Sequence, residues 1–93
     1  MSKALSEAEI NEALENLDGW KFEDNKLKKE FSFDDFRAAV AFIMRLSFEA
    51  EDQVHHPEIF NVYNTVHISL STHDAGGNVT KKDVTLARKI DKL

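Results

Sequence analysis

Cysteine is absent from the 93-residue sequence, and proline and glycine are scarce, with one and three copies. The lack of cysteine excludes disulfides and structural zinc sites built from four cysteines. No linker-like tract or repeat is visible, so we expect one domain over residues 1–93. A core of this size buries only about 60–65% of the unfolded surface, and small proteins often gain stability by self-association.

Basic residues and long apolar runs are also few. Twelve Lys and Arg against seventeen Asp and Glu give a net charge of −5, so direct nucleic-acid binding, which relies on basic residues, is not expected. The apolar run 38–44 is far shorter than the roughly 20 residues that span a bilayer. Residues 1–9 lack the apolar segment of a secretory signal. We therefore expect a cytoplasmic protein without membrane contact.

Local patterns predict three helices and four strands. Capping boxes, Ser6 with Glu9 and Thr80 with Asp83, mark the starts of the first and last helices. Alternating apolar residues predict strands joined as two hairpins, with turns at residues 24–25 and 64–65. The predicted elements are a helix ending at Asp18-Gly19, strands at 20–22 and 27–33, a helix from Ser32 to about Glu51 or Val54, strands Ile59–Tyr63 and Val66–Thr72, and a final helix after Thr80. The order α-β-β-α-β-β-α predicts an α+β two-layer sandwich, a four-stranded antiparallel sheet with helices on one face.

The second helix carries more apolar residues than a single buried face requires. We expect it to begin with a weaker capping box, Ser32 with Asp35 at its third position. One apolar face is predicted to hold Phe36, Val40, Ile43 and Ser47, while Ala38, Ala41, Phe42 and Met44 extend the apolar surface around the helix. Two buried faces predict a homodimer or homotetramer formed through the helix around Phe36–Ala50. On this interpretation Phe42→Glu would weaken assembly.

Four histidines lie between positions 55 and 73, and three of them could transfer protons. Imidazole titrates near neutral pH and can therefore both donate and accept a proton there. His55 and His56 precede Pro57, which disfavours helix at the residue before it, and His73 lies at the end of a predicted strand. On these residues alone, the His55-His56 pair is more typical of a solvated loop than of a catalytic site. His67 is typical of a cross-strand contact.

Other catalytic signatures are missing. No His-x₃-His spacing suggests a metal site, no Gly-x-Ser-x-Gly motif suggests a nucleophile, and no phosphate-binding loop is present. Glu51 lies one helical turn before His55 and could pair with it. Without the family pattern, Asp83 is better explained as the third residue of a helix, near its positive N-terminus. Phe60 and Tyr63 are compatible with a core or with the wall of a site for a flat ligand.

The region from residue 51 to residue 83 resembles the pterin-4a-carbinolamine dehydratase family, also called DCoH. The family pattern has a charged residue, three spacers, His-His-Pro, an aromatic residue, a distant histidine and an aspartate. The matching residues are Glu51, His55-His56-Pro57, Tyr63, His73 and Asp83. The predicted order of elements also fits the family, so the resemblance covers nearly the whole chain.

The resemblance implies dehydration of 4a-hydroxytetrahydrobiopterin to quinonoid dihydrobiopterin and water, a step of tetrahydrobiopterin recycling. It implies that His55 and His73 are acids for departure of the hydroxyl group and that His56 binds the substrate or acts as a base. No metal or redox cofactor is expected. The substrate-binding residues implied by the resemblance are Glu51, Pro57, Ile59, Tyr63, Ser71, Thr72 and Asp83. Among them, Glu51 and Asp83 would orient imidazoles or contact pterin nitrogens, and the Ser71-Thr72 backbone would pair with the pterin edge.

Two positions depart from the family, and a second function remains open. Ile59 stands where members often carry tryptophan, and Val54 replaces a residue that is commonly polar. Family members also act as transcriptional coactivators that dock onto a homeodomain transcription factor, so the alternative is a dimerisation cofactor that is also found in the nucleus. The second apolar face of the helix would serve that docking or self-assembly. Retention of His55, His56 and His73 favours the enzyme.

Overall fold

The computed structural model describes residues 3–93, which form three α-helices and a four-stranded antiparallel sheet. The elements are α1 (Glu7–Glu15), β1 (Lys21–Glu23), β2 (Lys26–Ser32), α2 (Phe36–Gln53), β3 (Glu58–Val62), β4 (Thr65–Leu70) and α3 (Lys81–Asp91), with a short 3₁₀ helix at His73–Ala75. The predicted α+β architecture is confirmed. None of the helices in residues 3–93 has the length and apolar character needed to cross a bilayer.

The sheet order is β1-β2-β4-β3, so the two hairpins meet through β2 and β4. Val66, Ile68 and Leu70 of β4 are buried on one face and form the core with residues of all three helices. Their neighbours His67 and Ser69 point to the other face and remain partly exposed. The helices therefore cover one face of the sheet, because alternate residues of a strand point to opposite sides.

Local signals explain most of the element ends. The capping boxes at Ser6 and Thr80 are both present, and hydrogen bonds from the backbone and hydroxyl group of Ser6 hold the pKa of Glu9 below its ordinary value. Asp24 and Asn25 both have positive φ, as a two-residue hairpin turn requires. The second hairpin turns one residue earlier than predicted, because Val62 pairs with Thr65 in the sheet.

The predicted start of α2 at Ser32 is wrong. Ser32 stays in β2, where it pairs with Thr65 of β4, so its side chain does not begin a helix. The N-cap is Asp35, whose side chain accepts a hydrogen bond from the backbone N–H of Ala38 at 2.8 Å. Strand pairing therefore overrides the capping signal at Ser32, and the helix begins at Phe36.

One face of α2 packs on the core of its own chain, and another is exposed. Ala39, Phe42, Leu46 and Ala50 are buried, whereas Phe36, Val40, Met44 and Phe48 are exposed. The ring centroid of Phe42 lies 4.8 Å from that of Phe31 and 4.9 Å from that of Phe33. The expectation that Phe42→Glu tests assembly is therefore wrong, because this residue belongs to the core of one chain.

The C-terminus of α2 carries backbone strain. Val54 closes the helix with φ 52° and ψ 45°, and the residue is 79% exposed. A β-branched residue in the left-handed region is unusual, because its Cβ approaches the carbonyl oxygen. Its N–H nevertheless bonds to the Ala50 and Glu51 carbonyls, and the His55 N–H bonds to the Ala50 carbonyl at 3.0 Å. The left-handed turn thus directs the chain from α2 into His55.

We expect Val54→Gly to stabilise the protein by about 1 kcal/mol, because glycine adopts the left-handed conformation without a Cβ clash. Urea unfolding would measure this as a higher midpoint at an unchanged slope. Val62→Gly is the matched control, since Val62 lies in a regular strand where glycine is destabilising. A Val54→Gly variant that is no more stable than the parent would contradict the strain at this position.

Candidate active site

The centre of the candidate site is a buried pair formed by His55 and Asp83. The His55 ring is almost enclosed, with 8% of the residue exposed, and Asp83 is completely buried. His55 Nε2 lies 2.5 Å from Asp83 Oδ1. Asp83 is the third residue of α3, and His55 follows the end of α2. The packing of α2 against α3 therefore joins two residues that are 28 positions apart in the sequence.

The second carboxylate oxygen of Asp83 is held by two threonines. Oδ2 accepts hydrogen bonds from the Thr72 hydroxyl group and from the Thr80 backbone N–H, each at 2.8 Å. Thr72 Oγ1 also lies 2.6 Å from Thr80 Oγ1. These donors all point toward the carboxylate, which is the arrangement that a buried ionised Asp requires.

The donor set of Asp83 also determines which His55 nitrogen is available. A carboxylate accepts hydrogen bonds but does not donate them, so His55 Nε2 carries the hydrogen of their bond. His55 Nδ1 has no hydrogen-bond partner within residues 3–93, and it is not a fully enclosed unpaired atom. Nδ1 is therefore the ring atom through which His55 can exchange a proton with a ligand.

The other two predicted catalytic histidines lie at the surface. His56 Nε2 is 2.6 Å from Glu51 Oε1, and both side chains are mostly exposed. His73 is exposed at the start of the 3₁₀ helix, directly after the buried Thr72. The structure thus gives the three histidines different surroundings: one buried against a carboxylate, one in exposed contact with a glutamate side chain, and one at the surface beside the buried threonine.

The Thr72 backbone is occupied by its own loop. The Thr72 N–H donates to the Asn78 carbonyl at 2.9 Å, and the Thr72 carbonyl accepts from Ala75 and Gly77 at 3.1 and 3.0 Å. Thr72 therefore has no free backbone group for the predicted pairing with a ligand. The hydroxyl group of Thr72, bonded to Asp83, is what it contributes to the cluster. Ser71 is half-buried before it, and its role stays a prediction.

Pro57, Ile59 and Tyr63 follow the histidine pair along the chain but diverge in space. Pro57 is half-buried beside His56, and Ile59 is exposed on the edge strand β3. Tyr63 lies in the β3–β4 turn with most of its side chain exposed. This turn is at the opposite end of β3 from His55, so within one chain Tyr63 does not reach the His55–Asp83 pair.

His67 makes cross-strand contacts, as the sequence predicted. Its ring centroid is 5.7 Å from that of Phe60 on β3, and its Nδ1 is 3.8 Å from Glu30 Oε1 on β2. All three residues lie on the uncovered face of the sheet. His67 is therefore separate from the His55–Asp83 pair, on the other side of the sheet.

Two residues near Asp83 were missed by sequence reasoning. Thr80 was interpreted as a helix cap alone, although its hydroxyl group contacts Thr72. The sequence did contain one signal of this contact: Asp83, which completes the capping box of Thr80, is also the aspartate of the family pattern. Gln53 donates from Nε2 to the Lys82 carbonyl at 2.7 Å and so joins the end of α2 to the start of α3. The apolar periodicity of the sequence around Gln53 gave no sign of this contact.

One concave surface lies close to the pair, at the start of α3. A cavity of about 410 Å³ borders the start of α3, and its lining includes Thr80 and Lys81 but none of the histidines. Within residues 3–93, no three His, Asp or Glu side chains are grouped so as to hold a metal ion.

Comparison with known proteins identifies the family. Residues 3–93 match the family model described as pterin 4 alpha carbinolamine dehydratase. Relatives named "Putative pterin-4-alpha-carbinolamine dehydratase" include one from Opitutus terrae, 48% identical over all of this chain and 96% of its own length. Another, from Sulfolobus acidocaldarius, is 45% identical over 96% of this chain and 97% of its own length.

A solved structure agrees with these relatives. The crystal structure of a "transcriptional coactivator/pterin dehydratase" from Brucella melitensis superposes with a TM-score of 0.91 at 42% identity, and covers 96% of each chain. The matched family model spans the whole sheet, α2 with the following His55, and α3, which carries Asp83. The chain belongs to the pterin-4a-carbinolamine dehydratase family.

Proposed function

We propose that this protein dehydrates 4a-hydroxytetrahydrobiopterin to quinonoid dihydrobiopterin and water, as a step of tetrahydrobiopterin recycling. Membership of the family supports a dehydratase. The observation that carries the proposal is the buried His55–Asp83 pair, which leaves His55 Nδ1 available. Such a pair is suited to proton transfer, and proton transfer is what this elimination requires.

The reaction breaks the bond between C4a and its hydroxyl oxygen and removes the proton on N5. The electron pair of the N5–H bond forms the new N5–C4a double bond, and the electrons of the C–O bond leave with oxygen. Hydroxide is a poor leaving group, so an acid must protonate it as it departs. A base takes the N5 proton, and the sum of both transfers is loss of water without oxidation or reduction.

In this proposal His55 supplies the proton to the leaving hydroxyl from Nδ1. The ring that remains is neutral and keeps its hydrogen on Nε2, which is the tautomer that the Asp83 carboxylate binds. Asp83 is fixed in turn by the hydroxyl group of Thr72 and the N–H of Thr80. The imidazole therefore needs no reorientation during the transfer.

The surface histidines complete the proposed set. His73 is a second acid, able to approach the hydroxyl group from the side of the 3₁₀ helix. His56, bonded to Glu51, binds the pterin or accepts the N5 proton. Two independent exposed imidazoles suit a flat substrate, because each face of a ring can be contacted from a different segment. Pro57, Ile59 and Ser71 are the further proposed substrate-binding residues, whereas Tyr63 does not reach the site within one chain.

We expect His55→Ala and His73→Ala each to lower the dehydration rate at least about 10-fold, because general acid–base catalysis typically contributes more than this. The measurement is dehydration of 4a-hydroxytetrahydropterin, followed by absorbance with purified protein. His67→Ala is the matched control, because His67 lies on the other face of the sheet. A parent protein that does not accelerate dehydration would refute the proposed function, and parent-like rates in both variants would refute the assigned roles.

We further propose that the protein assembles with a second copy of itself through α2, as a homodimer or homotetramer. The exposed stripe of α2, defined as Phe36, Val40, Met44 and Phe48, recurs every four residues and so lies along one side of the helix. Apolar stripes of this kind mark interaction surfaces. A monomer by light scattering at micromolar concentration would contradict this proposal.

Charges along α2 favour antiparallel pairing of two copies. Arg37 and Arg45 lie in its first two-thirds, and Glu49 and Asp52 lie near its end. When two copies run in opposite directions, the basic part of one meets the acidic part of the other, which is the favourable arrangement. In parallel pairing, like charges would be adjacent.

The second candidate function is docking of a homeodomain transcription factor, and the exposed stripe is the observation that favours it. The solved Brucella melitensis structure is named as both a transcriptional coactivator and a pterin dehydratase. In that case the protein would act in the nucleus as well as in the cytoplasm. An inactive parent that binds dimerisation helices of such a factor would favour docking, whereas dehydration that depends on His55 would favour the enzyme.

A further inference from the structure

We infer that Thr80 is a positioning residue for the proposed proton transfer, acting through Thr72 and Asp83 on His55. The inference rests on the proposed function, since it concerns the same imidazole. It assigns to the Thr80 side chain a role beyond ending a helix, and it predicts a measurable change in the tautomer of His55 when the hydroxyl group of Thr80 is lost.

Burial distinguishes Thr80 from an ordinary helix cap. Ser6 caps α1 in the same way but is exposed, and its hydroxyl group has no partner beyond the helix it caps among the described residues. Thr80 is only 1% exposed, and its hydroxyl oxygen lies 2.6 Å from that of Thr72 on another segment. Capping α3 does not require that second contact. The side chain is therefore enclosed among the groups that hold Asp83.

The hydrogen bonds fix the direction of each hydroxyl proton. Thr72 donates its single proton to Asp83 Oδ2, so it has none left for Thr80. Thr80 Oγ1 accepts from the Lys82 N–H at 3.2 Å and must donate its own proton to Thr72. The two hydroxyls thus form a one-way chain that ends on the carboxylate, and each bond in such a chain polarises the next.

Because the hydroxyl oxygens of Thr72 and Thr80 are so close, position 80 tolerates little change in the shape of its side chain. A methyl carbon needs a separation of about 3.3 Å or more from an oxygen, so valine at position 80 would push Thr72 away from its present place. Thr72 would move relative to Asp83 Oδ2, and the carboxylate would rotate away from His55. Small misplacements of this kind lower rates because the reacting groups are no longer aligned.

The first test compares Thr80→Val with Thr80→Ser in the dehydration assay. We expect Thr80→Val to lower kcat about 10-fold with KM changed less than twofold, since the lost alignment affects the chemical step. Thr80→Ser keeps the hydroxyl group and should therefore have the same kcat as the parent. Thr85→Val is the matched control, because Thr85 is exposed on the same helix. All rates are measured where circular dichroism shows the variants to be folded.

The second test does not depend on activity. Nitrogen-15 NMR of the His55 imidazole distinguishes a ring that carries its hydrogen on Nε2 from one that carries it on Nδ1. We expect the Nε2–H form in the parent and in Thr80→Ser, and a mixture of forms in Thr80→Val. If Thr80→Val does not fold, Thr80→Ala serves in both tests, because it removes without a clash the hydrogen bond that Thr80 donates to Thr72.

The outcomes separate this inference from the proposed function. A His55 signal in the folded Thr80→Val or Thr80→Ala variant that is identical to the parent's would overturn the positioning role, whatever the rate. An inactive parent would refute the proposed function, and the NMR comparison would then still decide whether Thr80 positions His55.

Discussion

Asp83→Asn is expected to fold and to lose roughly 10²- to 10⁴-fold in dehydratase kcat. The reason is the fixed set of donors around the carboxylate. The Thr80 N–H and the Thr72 hydroxyl group both donate to Oδ2, so an asparagine must place its carbonyl oxygen there. Its NH₂ group then faces His55 Nε2, which has to become an acceptor. The imidazole hydrogen moves to Nδ1, and the tautomer is wrong for the proposed cycle.

Because the asparagine keeps the shape of Asp83 and the bonds to both threonines, the loss should appear in kcat rather than in folding. Stopped-flow dehydration assays with circular dichroism would measure the two separately. Asp34→Asn is the control, since Asp34 is exposed before α2. A folded Asp83→Asn protein with the parent's rate would show that the pair is structural and that His55 acts without it.

The second large effect is a contrast between two phenylalanines of the same helix. Phe42→Glu should unfold the protein, because Phe42 is only 3% exposed between Phe31 and Phe33. A glutamate there would be a buried charge without a partner, which costs a large part of the roughly 5–15 kcal/mol that stabilises a domain. Phe48→Glu should leave the fold intact, because Phe48 is 68% exposed, and should dissociate the proposed assembly.

Thermal unfolding by circular dichroism and light scattering on the same samples would distinguish the two variants. The expected result is an unfolded Phe42→Glu and a folded, monomeric Phe48→Glu. A folded Phe48→Glu protein that keeps the size of an assembled parent would place the interface elsewhere than on the exposed stripe. A folded Phe42→Glu protein would mean that the aromatic cluster contributes less than its burial indicates.

Elements set by neighbouring residues were predictable from the sequence. The capping boxes at Ser6 and Thr80 and the turn at Asp24-Asn25 depend on contacts within a few positions, and the structure confirms all three. Ser32 misled because its capping signal competes with a strand pairing to Thr65, more than 30 positions away. Such a pairing is decided by the whole sheet and cannot be inferred from the residues around Ser32.

The apolar composition of α2 indicated an excess of apolar surface but not which residues turn inward. Phe36 and Phe42 are equally apolar, yet one is exposed and the other buried. The sheet decides this, because Phe31 of β2 and Phe33 just after that strand form the surface that receives Phe42. Periodicity alone does not say where those partners lie.

The residues of the candidate site were accessible from the family pattern, but their environments were not. The pattern contains His55, His73 and Asp83 without distinguishing them. The packing of α2 against α3 buries His55 against Asp83, while the 3₁₀ helix leaves His73 at the surface. The hydrogen bonds that link Thr80 to Thr72 and Thr72 to Asp83 join separate segments of the fold, so the family pattern could not predict them.

The first turn of α3 and the proposed site should open and close together, because Asp83 belongs to both. One carboxylate oxygen closes the capping box of the helix, and the other holds the His55 ring. Any fluctuation that frays this turn must therefore release the imidazole at the same moment. Hydrogen exchange at the amides of Lys82 and Asp83 would report the lifetime of the competent site, and tightening the helix end would also prolong that lifetime.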